Sequence, residues 1–179
     1  MEKYQNKYRI PANRLPGFDY GSDGFYFVTI CTKNRVPYFG VLETDYDPSL
    51  RYMEMDHDPS LRYTAVGKIA VEYWRDIPRH YAFITLGPMV VMPDHVHGIL
   101  RIQHADERAW TPNAFGPQTG NLGAVLRGYK GAVKRWANKN GITFEWQARY
   151  HDRIIRDVDE LIAVGEYIRL NPAKWLEKK

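Results

Sequence analysis

Apolar positions along this chain switch between two periods. FYFVTICT, Phe25 to Thr32, is dense in aromatic and β-branched residues and predicts a first strand. NRVPYFG after it predicts a turn with a short edge segment. AVGKIAVEYWRDIPRHY (65–81) spaces Ile69, Val71, Tyr73, Trp74 and Ile77 as an amphipathic helix, ending before Pro78. FITLGPMVVMP (83–93) and HVHGILRI (95–102) read as two strands, with Pro93-Asp94 as the turn or bulge between them. LGAVLRGYKGAVKRWANKNG (122–141) is helical: Leu122, Val125, Leu126, Tyr129, Val133 and Trp136 share a face, and Asn140-Gly141 stops it. FEWQARYHDRIIR (144–156) is a short strand or loop. A last helix starts at Asp157, with Glu160 completing a capping box, and runs to Leu170 before Asn171-Pro172.

Strands separated by helices, with two strands adjacent in the middle, predict an α+β fold. The expected form is a ferredoxin-like (RRM-like) antiparallel sheet with helices on one face. The 179 residues suit one domain spanning 1–179, with residues 1–24 as a polar, basic N-terminal arm. DYDPSLRYMEM (45–55) and DHDPSLRYTAV (56–66) are near copies with an 11-residue period. Two copies are too few for a solenoid, so 45–66 is expected to be a tandem-duplicated loop insertion.

Composition is that of an ordinary globular chain, 44% apolar and 26% charged. A net charge of +4 is mild, so partners must be sought in where the charges sit. The one cysteine, Cys31, excludes a disulfide framework within the chain and fits a reducing compartment. The N-terminus has no apolar signal region, and no apolar run approaches the roughly 20 residues that span a bilayer. The expectation is a cytoplasmic protein with no membrane partner.

VVMPDHVHGIL (90–100) carries the first candidate chemistry. On a strand, His95 and His97 point to the same side. The pair is either two histidines packed near a sheet surface or two ligands of a metal ion. Two protein ligands leave positions open, which suits a catalytic site better than a closed structural one. Ile99 stands where a histidine-triad nucleotide hydrolase needs a third histidine. A metal-dependent hydrolase barrel needs about 250 residues. GEYIRLNPAKW (165–175) is the second stretch: Tyr167 and Asn171 lie four apart and share a helix face, offset from Val158, Leu161, Ile162 and Ile168. Taken alone, such a tyrosine reads as a packing residue.

Taken together, these stretches resemble the single-tyrosine HUH transposases, in particular their REP-associated branch. HUH denotes His, a bulky apolar residue, His; here it is His95, Val96, His97. RLPGFDY with FYFVTICTKNR resembles the family's opening. MPDHVHGIL resembles its metal motif, with Asp94 where asparagine is usual. WQARYHDRIIRD resembles the segment before its last helix, and EYIRLNPAKW its tyrosine helix. The four motifs stand in the right order over nearly the whole chain.

The resemblance implies an HUH nuclease fold and a DNA endonuclease and strand transferase acting on single strands folded into hairpins. His95 and His97 would bind Mg²⁺ or Mn²⁺, Tyr167 would be the nucleophile, and Asn171 stands where relatives place a polar third ligand. The enzyme would be a monomer or a homodimer, nucleoid-associated when bound to DNA. On helix 122–139, Arg127, Lys130, Lys134 and Arg135 could contact phosphates, or could form an ordinary solvated face. Arg14, Tyr20 and Arg149, with Tyr150 and Arg156, could contact or stack on unpaired bases. The alternative is a domesticated hairpin-binding protein on the same fold that does not cut.

Overall fold

The strand that carries the histidines has two unlike sides. Val96, Leu100 and Ile102 point one way, and His95, His97 and Ile99 point the other. The computed structural model describes residues 15, 17–43, 61–104 and 119–177, with the backbone alone at 3–4 and 7–8. In chain order its elements are β1 (Lys3–Tyr4), β2 (Lys7–Tyr8), β3 (Gly24–Cys31), β4 (Gly40–Leu42), β5 (Leu61–Tyr63), α1 (Ala65–Arg75), α2 (Ile77–His80), β6 (Ile84–Met92), β7 (His95–Ile102), α3 (Leu122–Lys139), β8 (His151–Ile155) and α4 (Val158–Leu176). Four strands form an antiparallel sheet in the order β6-β7-β3-β8, so the first and third strands of the β-α-β-β-α-β order are central, as expected of a ferredoxin-like fold.

Each face of that sheet is buried under helices. Tyr26, Val28 and Ile30 of β3 and Val96, Leu100 and Ile102 of β7 pack with Val66, Ala70 and Trp74 of α1 and with Leu122, Val125, Leu126, Tyr129 and Val133 of α3. The opposite face carries a smaller cluster: Val90 and Met92 of β6, Ile99 and Ile155, with Val164 and Ile168 of α4. So α1 and α3 share one face, as expected, but α4 covers the other, and the helices are not confined to one face.

The helix boundaries follow from capping, with two corrections. Thr64, Asn121 and Asp157 cap α1, α3 and α4 by accepting from the amides of Gly67, Ala124 and Glu160. Glu160 Oε2 in turn accepts from Arg156 N at 2.9 Å, one residue earlier than in the usual box. Pro78 does not simply end a helix. α1 stops at Arg75, and Pro78 lies in the first turn of α2, where its missing N–H costs nothing. Nor does α4 stop at Asn171; it runs through Pro172 to Leu176. The lost hydrogen bond is offset by burial of Asn171 and Pro172, and by Trp175 packing on the second cluster.

The duplication is also more than a loop. Residues 45–60 lie outside the described residues, but the end of the second copy is structural. Leu61-Arg62-Tyr63 forms β5, paired with β4, and Leu61 is buried; Ala65-Val66 opens α1. No helix among the described residues is long and apolar enough to cross a membrane.

Gly98 is the tightest contact in the sheet. A Cβ there would sit 2.2 Å from Cζ2 of Trp74, which is fully buried. Gly98→Ala should therefore lower stability in urea by about 1–3 kcal/mol, the usual range for overpacking a core. Trp74→Phe, which shortens the opposing ring, should reduce the added cost of Gly98→Ala; strict additivity of the two changes would contradict this packing.

Candidate active site

β7 pairs His97 with Thr29 of β3 and Val90 of β6, and His95 with Cys31 and Met92. Both imidazoles face α4, with ring centroids 4.4 Å apart. Both are almost fully buried, at 4% and 5% exposure. Each ring is held at Nδ1. Asp94, in the β6–β7 turn, places Oδ1 2.6 Å from His95 Nδ1. Thr29 Oγ1 lies 2.8 Å from His97 Nδ1. With the proton on Nδ1, each ring donates to its partner and keeps a lone pair at Nε2. Phe27 stacks on His97 at 5.2 Å.

Burial drives the His97 pKa from 6.5 down to about 3, helped by the neighbouring His95 and Arg35 and opposed by a hydrogen bond to the Val28 carbonyl. The ring is therefore neutral across the physiological range, the form in which imidazole binds a metal.

α4 lays one stripe over this pair. The Tyr167 hydroxyl lies 3.4 Å from His97 Nε2, and its ring meets Phe27 edge-on at 6.0 Å. Trp175, two turns on, lies 5.6 Å from the His95 ring. Asn171 is one turn from each, on the stripe between them, and 8% exposed. Tyr167 is 41% exposed, so the residue touches the histidine without being enclosed. Among the described residues no group of three His, Cys, Asp or Glu side chains is placed for a metal ion. The residues whose chemistry could hold one are His95 and His97, each with its Nδ1 engaged, and Asn171 on the covering helix.

The residues expected to touch DNA are not gathered here. α3 lies on the other side of the sheet from the histidines. On it, Lys130 donates to the carbonyl of Gln147 at 2.6 Å and Lys134 to that of Phe144. Burial lowers the Lys130 pKa. Both lysines brace the 144–149 segment, so a freely solvated lysine stripe is not what folds. Arg127, Arg135 and Arg149 are exposed. Arg135 and Lys139 border a cavity of about 650 Å³ with Tyr73, Tyr81 and Trp136. Tyr20 is corrected as a base-stacking residue: it is buried in the main core, and its hydroxyl accepts from Leu15 N at 2.9 Å. Arg14 lies outside the described residues.

Sequence reasoning missed Thr29, Asp94 and Arg35 as supports of the histidines. Thr29 needed the strand register. Asp94 was visible as an acid abutting the H-x-H motif. Arg35 carried no local signal.

The chain thus joins an antiparallel ferredoxin-like sheet, a histidine pair on one central strand and a tyrosine on the covering helix. The chain has the fold of a REP-associated tyrosine transposase solved bound to a REP hairpin, with a TM-score of 0.55 at 18% identity over 97% of this chain and 74% of that one. A Deinococcus radiodurans R1 structure assigned as a transposase aligns with a TM-score of 0.43 at 17% identity, over 92% of this chain and 95% of that one. In sequence, the chain belongs to one family with an uncharacterized protein of Haemophilus influenzae: 31% identity over 171 residues, 90% of this chain and 87% of that protein. No family model matches the chain.

The depressed His97 pKa sets a pH dependence. Between about pH 3 and 6.5 the unfolded ring binds a proton that the folded ring does not. Stability is full above the unfolded value and falls as pH drops below it, by at most about 1.4 kcal/mol per pH unit from this ring. In metal-free urea titrations, His97→Gln should flatten the decline between roughly pH 6 and pH 4. Parallel declines in the two proteins would count against a neutral, buried His97.

Proposed function

We propose that this protein is a metal-dependent single-stranded DNA endonuclease and strand transferase that acts beside DNA hairpins through Tyr167. The observation that carries the reading is the Tyr167 hydroxyl 3.4 Å from His97 Nε2, over two buried imidazoles whose Nδ1 atoms are both engaged. His95 and His97 would hold Mg²⁺ or Mn²⁺, with Asn171 as the nearby amide. The bound ion supplies charge neutralisation at a scissile phosphate.

Everything else falls to the chain's own side chains. Phe27 and His97 flank the Tyr167 ring and set its direction. Lys174 places its ammonium 5.9 Å from the ring centre, where it favours a developing phenolate. Tyr167 Oη attacks phosphorus as it gives up its proton to solvent water. The Tyr–O–P bond forms, the bond from phosphorus to the 3′-oxygen breaks, and that oxygen takes a proton from water and leaves as a 3′-hydroxyl. The product is a 5′-phosphotyrosine that keeps the phosphodiester energy, so a new 3′-hydroxyl can reverse the step without ATP. Hairpin DNA as the partner is supported by the neighbour of like fold, which is described as bound to a REP hairpin.

Labelled single-stranded hairpins from the flanks of the gene, incubated with the protein and Mn²⁺, should give a covalent protein–DNA band on a denaturing gel. Tyr167→Phe should abolish the band and leave hairpin binding and thermal stability near wild type, because Tyr167 is 41% exposed and its ring contacts are kept. His97→Ala should abolish it too. Hairpin binding with no band in the wild type would favour the non-cutting hairpin binder instead.

A further inference from the structure

We infer that Arg35 and Asp94 form a positioning pair that holds His95 in its Nδ1–H tautomer, with the Nε2 lone pair turned into the site. The inference rests on the metal-site reading only for what that lone pair is used for.

The two histidines are supported by different chemistry. The Thr29 hydroxyl beside His97 can donate or accept, so it tolerates either tautomer. The Asp94 carboxylate beside His95 only accepts, so the nitrogen 2.6 Å away must carry the proton. Asp94 is 5% exposed, and a buried carboxylate needs its second oxygen satisfied as well. Arg35 supplies that partner, with Nε 3.0 Å from Oδ2. The chain from guanidinium to carboxylate to imidazole leaves Asp94 no reason to rotate away.

The backbone is arranged to deliver Arg35. Asn34 and Arg35 stand at φ 55° and 58°, two successive residues other than glycine in the left-handed region. That conformation costs energy and persists only when its surroundings enforce it. Here they do. The amide and hydroxyl of Thr32 both donate to the Asp94 carbonyl, at 2.9 and 3.0 Å. The same hydroxyl lies 2.7 Å from the Val36 carbonyl, and Val36 N donates to Lys33 O. The turn after β3 and the β6–β7 turn are thus fastened together at the residues that present Arg35 and Asp94. A relaxed turn would carry Arg35 away from the carboxylate.

Two readouts test this, one of them independent of metal. In ¹⁵N spectra of the metal-free protein near neutral pH, His95 should show the Nδ1–H tautomer. Asp94→Ala should shift it to the Nε2–H form or a mixture, and should weaken Mn²⁺ binding about ten- to a hundred-fold by calorimetry. Arg35→Gln should act in the same direction and more weakly. Added to Asp94→Ala, it should have no further effect on the His95 tautomer, because Arg35 reaches that ring through Asp94. If Asp94→Ala does not fold, Arg35→Gln decides, since its side chain is half-exposed. A His95 tautomer and Mn²⁺ affinity unchanged by Arg35→Gln would overturn the pair, and leave the metal site standing. A tautomer shift in variants of a protein that binds no Mn²⁺ would do the reverse.

Discussion

The structure turns on β7, which is hydrogen-bonded on both sides and, Arg101 apart, buried on both faces. Over that buried stretch the strand has no solvent side, so each residue must be packed or paired. On one side Gly98 removes a side chain so that Trp74 can lie against the sheet. On the other, at the same level, two imidazoles occupy space that in an ordinary core would be apolar. Close packing on the first side gives the rigidity that holds the polar groups on the second.

Burying two imidazoles next to each other is expensive unless each ring nitrogen has a purpose. The Nδ1 atoms are engaged by Asp94 and Thr29, both drawn from elements that flank β7. The Nε2 atoms are left facing α4, one of them within reach of Tyr167. The same burial that holds the His97 pKa down keeps that ring neutral, with a lone pair free on one of its nitrogens.

α4 completes the site by a helix that propensity alone would end early. Local rules place its stop before Pro172. The observed helix continues because its last turns bury Pro172 and set Trp175 against His95. That extension gives the tyrosine helix a second anchor beyond Tyr167. It also places Asn171 inside the helix, on the stripe above the histidines, where a chain end would have been free to move.

The sequence by itself determined the strand and helix pattern, because apolar periodicity is local. The antiparallel ferredoxin-like sheet, the α3 boundaries and the shared side of His95 and His97 could all be read from spacing. The motifs at 92–100 and 165–175 singled out the histidines and Tyr167 before any fold was known. Only tertiary structure decided which polar groups meet. Lys130 and Lys134 look like a DNA-facing stripe, yet they bond to carbonyls that a sequence reading cannot see approaching. Tyr20 looks like a loop aromatic and is core, because the backbone of Leu122 docks on its carbonyl. Arg35 sits 59 residues from Asp94 and reaches it through a strained turn. Periodicity says which side of an element a residue faces; what waits on that side is set by the path of the whole chain.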